Sequence, residues 1–127
     1  MRCFIDSTTS AKKFSYTPSV GYEIRMMNWG LEDERRYFQN LIHVREGQPT
    51  IEFIQTMPAN ITPSSMEYTM DYILNYPHHQ NGISKGVRGF MHLYLGTDNQ
   101  QRWLIYKWED VKTSTDSTWS YLKYSFD

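Results

Sequence analysis

The chain has 127 residues, of which 39% are apolar and 16% aromatic, and its net charge is −1. That length fits one domain and is enough to bury a core without a metal or disulfide staple. Lys and Arg are spread along the chain, so no basic stripe exists to neutralise a phosphate backbone, which argues against nucleic acid as a partner. No run of about 18 apolar residues is present to span a membrane.

One cysteine, Cys3, excludes an intramolecular disulfide and any multi-cysteine metal site. Cys3 reads as a small, partly buried hydrophobe and is not expected to be a lipid-attachment site, and no signal peptide is expected. Ten Tyr and four Trp offset the shortage of aliphatic residues, since each ring buries about 150–250 Å².

In chain order, residues 13–16 predict a short strand, and Thr17-Pro18-Ser19 a turn. The clearest helix follows. Asn28 is its expected cap, Glu32, Asp33 and Glu34 suit the positive end of its dipole, and Gly47 and Pro49 close it. Leu31, Phe38, Leu41 and Ile42 form its expected apolar face.

Residues 50–56 (TIEFIQT) predict a strand, and residues 58–63 a loop. Residues 64–76 are locally balanced. Ser64 and Glu67 make a capping box with Met66, Met70 and Ile73 at helical spacing, whereas Tyr68, Thr69, Tyr72, Ile73 and Tyr76 favour a strand. Residues 88–95 and 102–108 predict a hairpin around the turn at 96–99. After a polar loop at 112–117, the alternation in residues 118–126 (TWSYLKYSF) predicts a last strand.

From Trp103 onward the chain resembles the C-terminus of a bacterial group in the nuclear transport factor 2-like superfamily. The residues that carry the likeness are Trp103, Ile105, Trp108, Glu109 and Asp110, then Thr118, Trp119, Leu122 and Lys123. Trp29-Gly30-Leu31-Glu32-Asp33-Glu34 is similar to the Trp-Gly-x-x-x-Glu helix of that group, and residues 3–19 to the strand before it. The resemblance implies an α+β fold: a strongly curved antiparallel sheet of about five strands wrapped on a helix to enclose a cone-shaped cavity. It also tips residues 64–76 toward a long strand. Domains of this family open with a long helix across the mouth of the cone. Nothing here supplies it, so the single domain, 1–127, is expected to be N-terminally truncated. Many members are exported or lipid-anchored and have no assigned activity.

No nucleophile elbow, His-Glu-x-x-His or nucleotide-binding fingerprint is present, and no metal or other cofactor is implied. His78-His79 reads as a surface turn, and His43 as a helix-end histidine facing the dipole. His92 alternates with Phe90 and Tyr94 on one strand face. Glu109 and Asp110 point to opposite faces and share no site; one is expected to pair with Arg102 or Lys107, the other to cap a turn. Gly86 and Gly89 flank Arg88, an anion-site candidate, and predict a bulge or a close backbone approach.

The expected function is a module that binds a small apolar ligand or mediates self-association as a homodimer, with Tyr72, Phe90, His92, Tyr94 and Tyr106 lining the pocket. The alternative is a small proton-transfer enzyme of the isomerase or dehydratase type, using His92 and Asp71 in the cone.

Overall fold

The computed structural model describes Phe4 and residues 14–55 and 59–127. Cys3 and the start of the first expected strand lie outside these residues. The fold is α+β. The elements in order are β1 (Ser15–Thr17), α1 (Leu31–His43), β2 (Thr50–Gln55), β3 (Asn60–Ile61), β4 (Ser65–Asn75), β5 (Gly86–Thr97), β6 (Trp103–Val111) and α2 (Trp119–Ser125). No helix among the described residues is long and apolar enough to cross a membrane.

The sheet has six strands in the order β1-β6-β5-β4-β2, with β3 also on β4, and it does not close on itself. It is mixed, not purely antiparallel, because β1 runs parallel to β6 with Tyr16 opposite Trp108. The 64–76 segment is a strand, β4, paired along its whole length with β5. Residues Asn60 and Ile61, expected in a loop, pair with Glu67 and Met66.

Register sorts the side chains of the central strands into two faces. One carries Phe53, Met70, Tyr72, Met91, Leu93, Trp108 and Asp110. This inner face packs against α1 and α2, and its Tyr72, Met91 and Trp108 join the core with Trp29, Tyr37, Leu41, Leu122 and Phe126, while Phe53 stays half-exposed. The other carries Glu67, Thr69, Asp71, Phe90, His92, Tyr94, Lys107 and Glu109. The hairpin register shifts between Tyr94 and Leu95, so the irregularity lies in mid-strand and not at Gly86–Gly89.

The N-cap of α1 lies two residues beyond the expected one. Asn28 adopts φ 60°, and Gly30 is the N-cap, its N–H donating to Asp33 Oδ2 at 2.8 Å. The buried face is Glu34, Tyr37 and Leu41, while Phe38 and Ile42 of the expected apolar stripe are exposed. The stripe is offset because Glu34 is taken inward by a buried partner, Lys123.

The last element is a helix, not the strand that alternation predicts. Its first three N–H groups have no intrahelical acceptor, and each finds a side chain. Trp119 N donates to Tyr72 Oη at 2.7 Å, Ser120 N to Asp110 Oδ2 at 2.8 Å, and Tyr121 N to Thr118 Oγ1 at 3.4 Å. Two of these three acceptors belong to the sheet, which is why local sequence patterning misses the helix.

Candidate functional site

A cavity of about 470 Å³ lies between α1, α2 and the inner sheet face. Its wall is formed by Phe4, Tyr37, Phe38, Phe53, Met91, Leu93, Ile105, Trp108 and Trp119, with Glu34 as the charged member. Each element contributes through its periodicity. Glu34, Tyr37 and Phe38 fall on one helical face, and Met91 and Leu93 alternate inward on β5. A volume of this size, walled mainly by apolar and aromatic groups, is within the range of small-molecule sites.

A buried ion pair stands beside it. Lys123 Nζ bonds Glu34 Oε1, and both side chains are fully buried. Glu34 Oε1 also accepts from Trp29 Nε1 at 2.9 Å. The ammonium lies 3.6 Å from the ring centroid of Trp108 and 3.8 Å from that of Tyr16, so aromatic faces replace the water it has lost.

A second polar cluster locks the sheet to α2. Asp110 Oδ1 accepts from Tyr72 Oη at 2.7 Å, and Oδ2 accepts from the Ser120 backbone and hydroxyl at 2.8 and 2.6 Å. Tyr16 Oη lies 2.7 Å from Ser120 Oγ. Burial, and next the charge of Asp110, push the phenol pKa values of Tyr16 and Tyr72 well above the ordinary value. Both phenols are therefore hydrogen-bond donors at neutral pH and unsuited to act as bases.

The five expected pocket residues do not share one cavity. Tyr72 is buried on the inner face against Asp110, whereas Phe90, His92 and Tyr94 lie on the outer face, and the ring of Tyr106 is tilted at 51° to that of Tyr94 with the centroids 6.2 Å apart. None of the five lines the 470 Å³ cavity. His92 and Asp71 do share a face, at diagonal positions of the β4–β5 pair. The ring nitrogens of His92 are engaged by Glu67 at 2.6 Å on Nε2, and by Tyr94 Oη at 3.3 Å and Glu109 at 3.6 Å on Nδ1. Tyr94 donates to Glu109 at 3.0 Å, and burial followed by that carboxylate pushes its pKa up to about 12.

Other expectations are revised by side-chain placement. His78 is buried, not a surface residue. Its Nδ1 accepts from Gln80 N at 3.1 Å, so the proton sits on Nε2 and faces Ser84 O at 3.2 Å, and the ring packs edge-on against Phe126. His79 is exposed, as expected, and His43 stands exposed in the last turn of α1. Glu109 and Asp110 do point to opposite faces, but neither pairs with Arg102, which binds Asp98 at 2.8 Å. Asp110 caps a helix and not a turn. Arg88 is exposed, and its backbone N–H holds Ser117 O at 2.9 Å. No cluster of three His, Cys, Asp or Glu side chains suited to a metal occurs among the described residues.

Compared with known proteins, the chain matches no family model, no curated protein and no solved structure. The functional reading therefore rests on the site itself. Sequence reasoning missed Glu34 and Lys123 as members of it. The signal available was Glu34 in the middle of an otherwise apolar helical face, but the acidic first turn masks it as a dipole effect.

Proposed function

We propose that this chain is a cone-type domain of the nuclear transport factor 2-like kind, and that the cavity between α1 and the sheet binds a small, mainly apolar molecule. The observation that carries the reading is the wall of that cavity: nine of its ten lining residues are aromatic or aliphatic, and they are Phe4 and residues of both helices and three strands. Exclusion of water from such a wall favours an apolar guest at roughly 25 cal/mol per Å² buried. Two Trp residues in the wall, Trp108 and Trp119, make occupancy visible in fluorescence.

The test is a thermal melt with and without small apolar compounds, followed by Trp emission. A ligand at about 100 times its Kd adds about 2.7 kcal/mol and raises the midpoint by several degrees. Phe38, half-exposed at the cavity, is the control position, since Phe38→Asp places a charge there without opening the core. Loss of the shift in this variant supports the reading; an unchanged shift places binding elsewhere.

Self-association is a second reading, favoured by β2. This strand is at the sheet edge, and it exposes Ile51, Phe53 and Ile54, with Ile73 beside them on β4. Unpaired edges bearing apolar side chains are where chains pair. Light scattering across a concentration series reads the oligomeric state directly, and a monomer throughout removes this reading. The proton-transfer alternative draws support only from His92 and Asp71 sharing the outer face.

A further inference from the structure

A depression of about 250 Å³ opens on the outer sheet face, and it shares no lining residue with the apolar cavity. Its lining includes Glu52 and Ile54 of β2, Asp71 and Ile73 of β4, Arg88 of β5, and Thr113 and Ser114 from the loop after β6. Strand register fixes their layout. Ile73 pairs with both Glu52 and Arg88, so these three stand in one row across the sheet. Asp71 pairs with Ile54 in the next row, diagonal to both Glu52 and Arg88, at about 7–8 Å between Cα atoms. Glu52 and Arg88 are two strand spacings apart, about 10 Å.

Three ionisable side chains thus line one depression, and solvent reaches each of them. Among the described residues, the side chains of Glu52, Asp71 and Arg88 make no hydrogen bond or ion pair, and the Thr113 and Ser114 hydroxyls are also unengaged. The charges are segregated. Two carboxylates occupy the β2–β4 side, and the guanidinium stands toward the two hydroxyls on the β6 side. A guanidinium fork with nearby hydroxyls suits a carboxylate, while carboxylates accept from ammonium groups. Two negative groups against one positive group call for a guest with two cations and one carboxylate. The half-exposed Ile73 between Glu52 and Arg88 offers an apolar floor for a short hydrocarbon stem.

We propose that this outer-face depression binds a free basic amino acid of the lysine type. Its carboxylate lies on Arg88 and the Thr113 and Ser114 hydroxyls, its α-ammonium on Asp71, and its side-chain cation on Glu52, with the stem over Ile73. This site is independent of the apolar cavity.

The test titrates the whole chain with L-lysine at low ionic strength, where exposed charges are least screened. The backbone amide resonances of Asp71, Arg88 and Ser114 report occupancy. Three comparison ligands each lack one group: norleucine the side-chain cation, cadaverine the carboxylate, and Nα-acetyl-lysine the α-ammonium. Lysine is expected to bind about threefold or more tightly than each of them. Arg88→Gln is expected to erase the advantage over cadaverine, and Glu52→Gln the advantage over norleucine. Both positions are exposed, so neither change disturbs the core. Tightest binding by cadaverine would mark a carboxylate patch that takes any amine, and it overturns the proposal. Equal binding of lysine and Nα-acetyl-lysine or norleucine overturns it too, as does the absence of shifts at these residues. The ligand comparison needs only the unmodified chain, so it decides the assignment whatever the variants do.

Discussion

Tyr72 donates its phenolic hydrogen to Asp110 Oδ1 at 2.7 Å and accepts the Trp119 backbone N–H on the same oxygen, also at 2.7 Å. One side chain on β4 thereby ties a carboxylate on β6 to the first turn of α2. Tyr72→Phe removes one hydroxyl and leaves both partners buried and short of a bond. The expected cost is about 2–3 kcal/mol, since hydrogen bonds to charged groups exceed neutral ones. Urea unfolding checks it; an unchanged midpoint would mean that water replaces the hydroxyl.

Lys123→Met strands Glu34 as an unpaired buried carboxylate. The expected loss is about 3–5 kcal/mol. Adding Glu34→Leu removes the stranded charge and is expected to restore most of that stability. Recovery stays incomplete by about 1 kcal/mol, because Trp29 Nε1–H then lacks its acceptor. A double-mutant cycle in denaturant measures both numbers.

Thr118 is fully buried and caps α2, and its hydroxyl also meets Ser19 Oγ at 2.8 Å. Thr118→Ala is expected to destabilise by about 1–2 kcal/mol, and Thr118→Ser by far less. Equal losses in the two variants would assign the role to the methyl group rather than the oxygen.

Asp98 organises the β5–β6 turn. Burial alone raises its pKa, but the Arg102 backbone and guanidinium and the Gln100 N–H outweigh this and hold it below the ordinary 3.8. A carboxylate depressed in the folded state adds stability that is fully present above its unfolded pKa. That stability is lost as pH falls through the folded value. The melting temperature is therefore expected to drop below about pH 3.8, and Asp98→Asn is expected to weaken that dependence while lowering stability at neutral pH. Identical pH profiles for the two proteins would dismiss Asp98 as a contributor.

His92 stands on the outer face, engaged by Glu67, Tyr94 and Glu109, and away from the cavity lining. His92→Ala is expected to leave ligand affinity in the cavity within twofold and to change stability by less than about 1 kcal/mol. A large affinity loss, read by the same fluorescence titration, would move the site to the outer face and revive the proton-transfer alternative.

Much of the strand pattern was legible in the sequence, because period-two alternation with aromatic and β-branched residues is a local property. β2, β5 and β6 fall where TIEFIQT, RGFMHLYL and RWLIYKW predict them. Gly89 was also legible as a point of close approach. A Cβ there would lie 2.7 Å from Tyr72 Oη and 2.9 Å from Val111 O. Which atoms press on it was not, since both belong to neighbouring strands.

Composition and spacing within single segments dictated most of the strands, the first helix and the near-neutral charge. Tertiary structure alone decided the rest. It made residues 119–125 a helix by supplying Tyr72 and Asp110 as acceptors for its free N–H groups. It turned Glu34 inward by placing Lys123 opposite it, 89 positions away in the chain. It sent Tyr72 and His92 to opposite faces through the register of β4 on β5. Each of these outcomes rests on a partner remote in sequence, and periodicity within one element carries no information about a partner in another.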